Sequence, residues 1–247
     1  MINIIHGDCL DVMPTLPSKS IDLILCDLPY GTTSCSWDII IPFASIWDNY
    51  YNLLKPNGAI VLFGQELFSS SLRLSSPETY KYDWYWEKER ITNIMQVKRR
   101  AGKTIETISV FYKNQPTYNP QMSKHTGALR TNKIKHGVIG GLSDVNESKV
   151  KEYKDTGLRY PTQLLKFKRD ILTSNLHPTQ KPVALCEYLI RTYTNEGDLV
   201  LDNCMGSGTT GVACVNTKRN FIGIEKDKSY FDIAKIRIES NNSIDML

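Results

Sequence analysis

The chain lacks any apolar run long enough to cross a bilayer. Stretches such as Ile39-Ile40-Ile41 and Ala59 to Phe63 stop far short of the roughly 20 residues a transmembrane helix needs. The N-terminus has no basic segment leading into an apolar one, so no signal peptide is expected and the expected location is cytoplasmic. The six cysteines (Cys9, Cys26, Cys35, Cys186, Cys204, Cys214) form no C-x-x-C pair, and the four histidines form no H-E-x-x-H. A zinc site is therefore not expected, and free thiols in a reducing compartment are the simplest reading. No Gly-Lys-[Ser/Thr] follows a glycine turn, which excludes a P-loop, and no Pro-Cys dipeptide is present.

What is present is an ordinary globular composition, 41% hydrophobic and 23% charged over 247 residues. That length suits one domain, or one domain with an insertion. The net charge of +4 hides an uneven distribution. Residues 98–170 hold 16 Lys/Arg against 6 Asp/Glu, while 1–97 and 171–247 carry −5 and −1. A basic middle can attract a polyanion; a solvated basic face is the bland alternative, and charge alone does not decide between them.

The first third alternates strand and helix patterns. Asn3–His6 is strand-like, Asp8–Leu16 helical, and Ile21–Cys26 a strand rich in branched residues, suited to a buried parallel sheet. An amphipathic helix over Ala44–Leu54 stops at the turn Lys55-Pro56-Asn57-Gly58. Ala59–Phe63 is the next strand, Gly64-Gln65 opens a helix, and Tyr82–Trp86 and Thr107–Tyr112 close the series. Between Asn114 and Asp170 the periodicity fails, as in an inserted module or long loops. It resumes with a helix over Lys181–Tyr193, a strand Leu199–Leu201, a glycine turn, a helix Thr210–Thr217, a strand Asn220–Ile224 and a helix Asp227–Glu239. The expectation is a doubly wound, largely parallel α/β sheet. Its parts would be 1–113, an insertion over 114–170, and 171–247.

The run Leu199 to Gly211 reads as strand, small-residue turn and helix start, with Gly206, Gly208 and Gly211 in G-x-G-x-x-G register. Glycines there let backbone N–H groups approach a ligand. Glu225 ends the next strand, close to 20 residues on, where an acidic side chain accepts from ribose hydroxyls. A nucleoside-binding unit follows, its ligand either a dinucleotide or S-adenosylmethionine. A purely structural turn is the competing account.

Asp27-Leu28-Pro29-Tyr30 follows directly on the strand Ile21–Cys26. A carboxylate, a stiffened turn and an aromatic ring at a strand's carboxyl end suit an exocyclic amino group on a planar base; taken alone, the tetrapeptide reads more simply as an ordinary strand-ending turn. This tetrapeptide resembles the D-P-P-Y motif of amino-group DNA methyltransferases. Asp202–Thr210 resembles their cofactor motif, and His177-Pro178-Thr179-Gln180-Lys181-Pro182 the motif preceding it. Trp86-Glu87-Lys88, Glu106 with Ile108–Phe111, and Phe221–Glu225 add to the likeness, which covers about three quarters of the chain. The order, catalytic motif first and glycine turn late, is similar to the permuted β-class, and Tyr118–Gln121 resembles its phage and prophage members.

The resemblance implies a Rossmann-like, circularly permuted fold and methyl transfer from S-adenosylmethionine to adenine N6 in double-stranded DNA, the target base being flipped out. It implies catalytic roles for Asp27, Leu28 (through its carbonyl), Pro29 and Tyr30. Asp8, His177, Thr179, Lys181, Asp202, Gly206, Ser207, Gly208, Thr209, Thr210 and Glu225 would hold the cofactor. Asn203 and Cys204 replace the usual Pro-Phe of the cofactor motif, and Leu28 the usual second proline. Lys98, Arg99, Arg100 and Lys103, the tightest basic cluster, would grip DNA phosphates, and 114–170 would carry target recognition. A homodimer is left open. Rival readings are a cytosine-N4 or RNA amino-methyltransferase, an inactive nucleic-acid-binding relative and, last, a nicotinamide oxidoreductase.

Overall fold

The computed structural model describes residues 1–32, 38–127, 155–170 and 180–244. Contacts divide it into two compact units, one of 1–119 with 162–247 and one of 120–161.

The larger unit is built on an eight-stranded sheet. Its strands are β1 (Ile2–His6), β2 (Ile21–Cys26), β3 (Leu54–Gly64), β4 (Tyr80–Glu87), β5 (Ile105–Phe111), β8 (Leu164–Lys166), β9 (Leu199–Asp202) and β10 (Asn220–Glu225). They lie in the order β1-β10-β9-β2-β3-β5-β4-β8. Every pairing is parallel except those of β5, which runs against both β3 and β4. Both faces of β5 are buried, so an alternation of polar and apolar residues does not mark it.

The helices are α1 (Cys9–Val12), α2 (Phe43–Leu53), α3 (Phe68–Leu74), α4 (Val183–Tyr193), α5 (Thr209–Asn216) and α6 (Lys228–Ile244). They cover both faces of the sheet. From Leu23 onward the side chains of β2 alternate: Leu23 and Leu25 pack with α4, α5 and α6, while Ile24 and Cys26 pack with α1, α2 and α3; Ile21, across the register shift, joins the latter. Strand β3 repeats this, with Ala59, Val61 and Phe63 on the first face and Ile60 and Leu62 on the second. A side chain buried on either face contributes about 1.5–3 kcal/mol, which is why these strands read as continuous apolar runs.

Three elements depart from the expected boundaries. The first helix shortens to α1 and continues as a 3-10 turn over Met13–Thr15, because Pro14 lacks an N–H for an i→i−4 bond. The turn Lys55–Gly58 lies inside β3, bulging between the pairs Ile21–Leu54 and Leu23–Ala59. Within 114–170, the segment Leu164–Lys166 is strand β8, paired with β4 in the main sheet.

The smaller unit contains a short antiparallel ladder of β6 (Ser123–Lys124) and β7 (Leu158–Arg159). The Asp155 carboxylate accepts two bonds from the Arg159 guanidinium, at 2.7 and 2.8 Å.

Candidate active site

Strands β9 and β2 are neighbours from which the chain departs in opposite directions across the sheet. Ligands of doubly wound folds bind at such a switch point, beyond the carboxyl ends of the strands. A cavity of about 1140 Å³ opens there, lined among others by Asp8, Asp27, Asp202 and Glu225.

Asp27 is the first residue beyond β2. The Tyr30 hydroxyl donates to its Oδ1, so the tetrapeptide folds back on itself. The Tyr30 ring leans on Phe68 with centroids 4.9 Å apart. Gly31 takes φ +67°, a backbone state that favours glycine. The Asp38 carboxylate holds this turn by accepting from the N–H groups of Gly31 and Thr32, each at 2.8 Å. Leu28 is 3% exposed and belongs to the core under α1, α2 and α3. Its side chain packs the fold, and the residue also lines the cavity.

Lys181, just before α4, brings the far end of the chain to Asp27. Its Nζ lies 2.5 Å from Asp27 Oδ2 and 2.8 Å from Glu106 Oε1, over the rings of Phe63 and Tyr30. Glu106, on β5, also receives Lys88 Nζ at 2.5 Å. Two carboxylates and two ammoniums thus form one chain, Asp27–Lys181–Glu106–Lys88. Burial of an isolated charge is costly, and pairing of this kind is what permits it.

The chain shifts the proton affinities of its members. Burial raises Asp27 above its ordinary value; Lys181 opposes that rise and Glu106 adds to it. Burial acts upward on Glu106 too, but Lys181 and Lys88 outweigh it and bring it down to about 2. Burial would lower Lys181, yet Asp27 and Glu106 raise it. Lys181 and Glu106 are therefore held charged, whereas Asp27 is the member drawn toward neutrality. Glu106 and Lys88 were absent from the expected site. The available signal was a carboxylate near the start of an otherwise uncharged β5.

The other side of the cavity is built by β9, β10 and the turn between β9 and α5. Asp202 Oδ2 accepts from Thr210 Oγ1 at 2.6 Å and Oδ1 from the Cys204 N–H at 3.2 Å. Burial pushes Asp202 up to about 6, against the opposing bonds from Thr210 and the Cys26 thiol. The Asn203 side-chain Oδ1 accepts from the Tyr50 hydroxyl at 2.6 Å, which ties the turn to α2. Glu225, at the end of β10, accepts from the N–H groups of Gly206 and Asp227 at 2.9 and 2.8 Å. Burial raises its carboxyl while those backbone bonds lower it.

The three glycines divide in function. Gly206 lines the cavity with φ +52°. Gly208 does not line it. It has φ +79°, and a Cβ there would lie 2.9 Å from Ala234 Cβ. At Gly211 a Cβ would meet Ile238 Cδ1 at 2.4 Å. Both therefore let α6 pack against α5. Ser207 and Thr209 line the cavity, and the Ser207 carbonyl accepts from Arg237 at 2.7 Å.

Asp8 caps α1 by accepting from the Leu10 N–H at 2.9 Å and pairs with Lys226 at 2.9 Å. The cap bond leads, with Lys226, in holding its carboxyl below the ordinary value. His177 and Thr179 lie outside the described residues. The basic cluster sits on the β4–β5 loop: Arg100 and Lys103 line the cavity, while Lys98 and Arg99 are exposed away from it. Lys103 reaches Gln65 Oε1.

Comparison with known proteins accords with this geometry. Residues 21–236 match the N6_N4_Mtase family, described as DNA methylase. The chain is 28% identical over 247 residues to the type II methyltransferase M.HpaI of Haemophilus parainfluenzae, covering 96% of this chain and 74% of that one. It is 27% identical over 250 residues to the DNA adenine methyltransferase YhdJ of Escherichia coli K12, with 96% and 82% covered. The crystal structure of an M1.HpyAVI–SAM complex superposes with TM-score 0.64 at 29% identity, covering 96% of this chain and 99% of that one. With nearly the whole sheet inside the matched span, the chain belongs to the N6_N4_Mtase family of DNA methylases.

Proposed function

We propose that the protein transfers a methyl group from S-adenosylmethionine to the N6 amine of adenine in double-stranded DNA. One observation carries the reading: Asp27 and Tyr30 at the end of β2 share a cavity with Asp202 and Glu225 at the ends of β9 and β10. The cavity is large enough for a nucleoside cofactor and a flipped base together.

The residues present fit that cofactor. Glu225 and Asp202 are carboxylates with further acceptor capacity beyond their backbone and Thr210 bonds. Glu225 would hold the ribose, Asp202 and the Gly206–Thr210 turn the methionine end, and Asp8 the adenine side. S-adenosylmethionine supplies a methyl already activated by its sulfonium, so this chain needs no nucleophile of its own.

The protein's work is positioning. Asp27 accepts one hydrogen of the target amine, and the Leu28 carbonyl the other. The nitrogen lone pair is then directed toward the cofactor side. Tyr30 stacks on the base and helps offset the cost of unstacking it. Because Asp27 is already engaged by Lys181, the entering amine must share or replace that bond. Glu106 keeps Lys181 paired while this happens. Asp27, drawn toward neutrality by burial, also suits uptake of the proton that the methylated amine sheds.

Lys98, Arg99, Arg100 and Lys103 would contact phosphates, and the basic insertion would select the sequence. In this division 1–113 supplies the catalytic half, 171–247 the cofactor half and 114–170 recognition. Its substrate would place the enzyme in the cytoplasm. Incubation with labelled cofactor and duplex DNA or RNA, followed by nucleoside analysis, tests the reading: N6-methyladenine from DNA supports it, and label in N4-methylcytosine or in RNA alone overturns it.

A further inference from the structure

The β4–β5 loop shows an apolar tip. Met95 is 93% exposed, the most exposed large apolar side chain among the described residues, and Ile94 is 70% exposed. Both lie in a single 3-10 turn, Ile94–Gln96. The base of the loop is bonded across. The Thr92 N–H donates to the Lys103 carbonyl at 2.9 Å, and the Lys103 N–H to Asn93 Oδ1 at 2.6 Å. Asn93 Nδ2 donates to the Ala101 carbonyl at 3.0 Å. Ile91 packs over Gly102, where a Cβ would come within 2.7 Å of it. The exposed pair is thus mounted on a pinned base.

The surroundings narrow the occupant. Ile91, Thr92 and Asn93, just before the tip, line the cavity, as do Arg100 and Lys103 just after it. Four cations, Lys98, Arg99, Arg100 and Lys103, follow the tip within eight residues of Met95. Apolar side chains on a cationic loop match the chemistry of duplex nucleic acid, with phosphates outside and stacked bases within. Proteins that kink duplexes insert such side chains between base steps.

We propose that Ile94 and Met95 form a wedge that enters the base stack of duplex DNA where the target base leaves it. The inference rests on the proposed function and specifies how that site obtains its base. Filling the vacated space with apolar surface opposes return of the base and offsets part of the unstacking cost. Cations beside the wedge hold the flanking phosphates while the base enters the cavity.

The test uses the full chain carrying Ile94→Ser with Met95→Ser, both exposed, alongside wild type. Each is assayed on one duplex with the target base either paired or placed opposite an abasic site. The expected result is a fall in kcat/KM of roughly tenfold or more on the paired duplex and little change opposite the abasic site, with cofactor affinity retained. Equal losses on both duplexes, or none on either, overturn the wedge. Conversion of a wild-type dimer to a monomer by the same substitutions also overturns it, since the pair would then join two copies. If wild type methylates neither duplex, the proposed function falls and the wedge with it.

Discussion

Lys181 Nζ lies 2.5 Å from Asp27 Oδ2, so a residue from the C-terminal third of the chain is bonded to the carboxylate that follows β2. The two are 154 positions apart in sequence. The same ammonium reaches Glu106, which makes it a bridge between the motif carboxylate and β5. The charge of Asp27 therefore depends on two residues outside its own motif, and the dependence has opposite signs.

Removing Lys181 should move the acid limb of the activity profile to higher pH. Lys181 lowers Asp27 against burial, so Lys181→Met leaves Asp27 protonated over a wider range, and a protonated carboxyl does not accept the amine by that oxygen. A shift of about one unit or more is expected in kcat against pH. An unmoved limb would show that Asp27 does not titrate in the active complex.

Glu106→Gln should act the other way. Glu106 raises Asp27, so its neutralisation lowers Asp27 and leaves Lys181 paired with Asp27 alone. The acid limb should move to lower pH while KM for DNA rises, because the clamp on Asp27 tightens. The opposite signs of the two variants distinguish a charge relation from general damage to the fold.

Asp202→Asn should stabilise the apo protein near neutrality while weakening cofactor binding. Asp202 is raised to about 6 from the ordinary 3.8, so between those values the native state binds more protons than the unfolded one. Stability from this group therefore increases as pH falls through 6 toward 3.8 and is lost above that range. The cost near pH 7.5 is at most about 3 kcal/mol. The Tm of Asp202→Asn should equal or exceed wild type at pH 7.5, with the advantage shrinking toward pH 4.5. A variant less stable at every pH would mean that the Thr210 and Cys204 bonds outweigh the burial of charge.

Gly208→Ala and Gly211→Ala should lower stability through the α5–α6 contact. Overpacking costs about 1–3 kcal/mol, and Gly208 adds the strain of φ +79°. Calorimetric cofactor affinity per folded molecule should change little in either variant. A selective loss of cofactor affinity at full stability would return both glycines to the ligand.

Neutralising the basic cluster should flatten the salt dependence of DNA binding. Each phosphate contact contributes close to one unit to the slope of log K against log salt. Lys98→Ala with Arg99→Ala tests the two residues that do not line the cavity. An unchanged slope would make them an ordinary solvated face.

Much of this was legible from sequence where local chemistry and position agree. The apolar runs of β2 and β3, the glycine turn and Asp27-Leu28-Pro29-Tyr30 each announce their place, and the structure brings Asp27, Asp202 and Glu225 to one cavity. The direction of β5 was not legible, because a strand buried on both faces has no alternation to read. Nor was the Asp27–Lys181–Glu106–Lys88 chain, which assembles residues from four separate segments of the chain. Gly208 and Gly211 satisfy a ligand-binding pattern for a packing reason visible only once α6 is in place.

The most direct measurement is nucleoside analysis of duplex DNA incubated with labelled S-adenosylmethionine and either wild type or Asp27→Ala, with cofactor binding measured for both. The account predicts labelled N6-methyladenine from wild type, none from Asp27→Ala, and cofactor affinity nearly equal in the two. Wild-type turnover by Asp27→Ala, or label in any nucleoside other than N6-methyladenine, would contradict it.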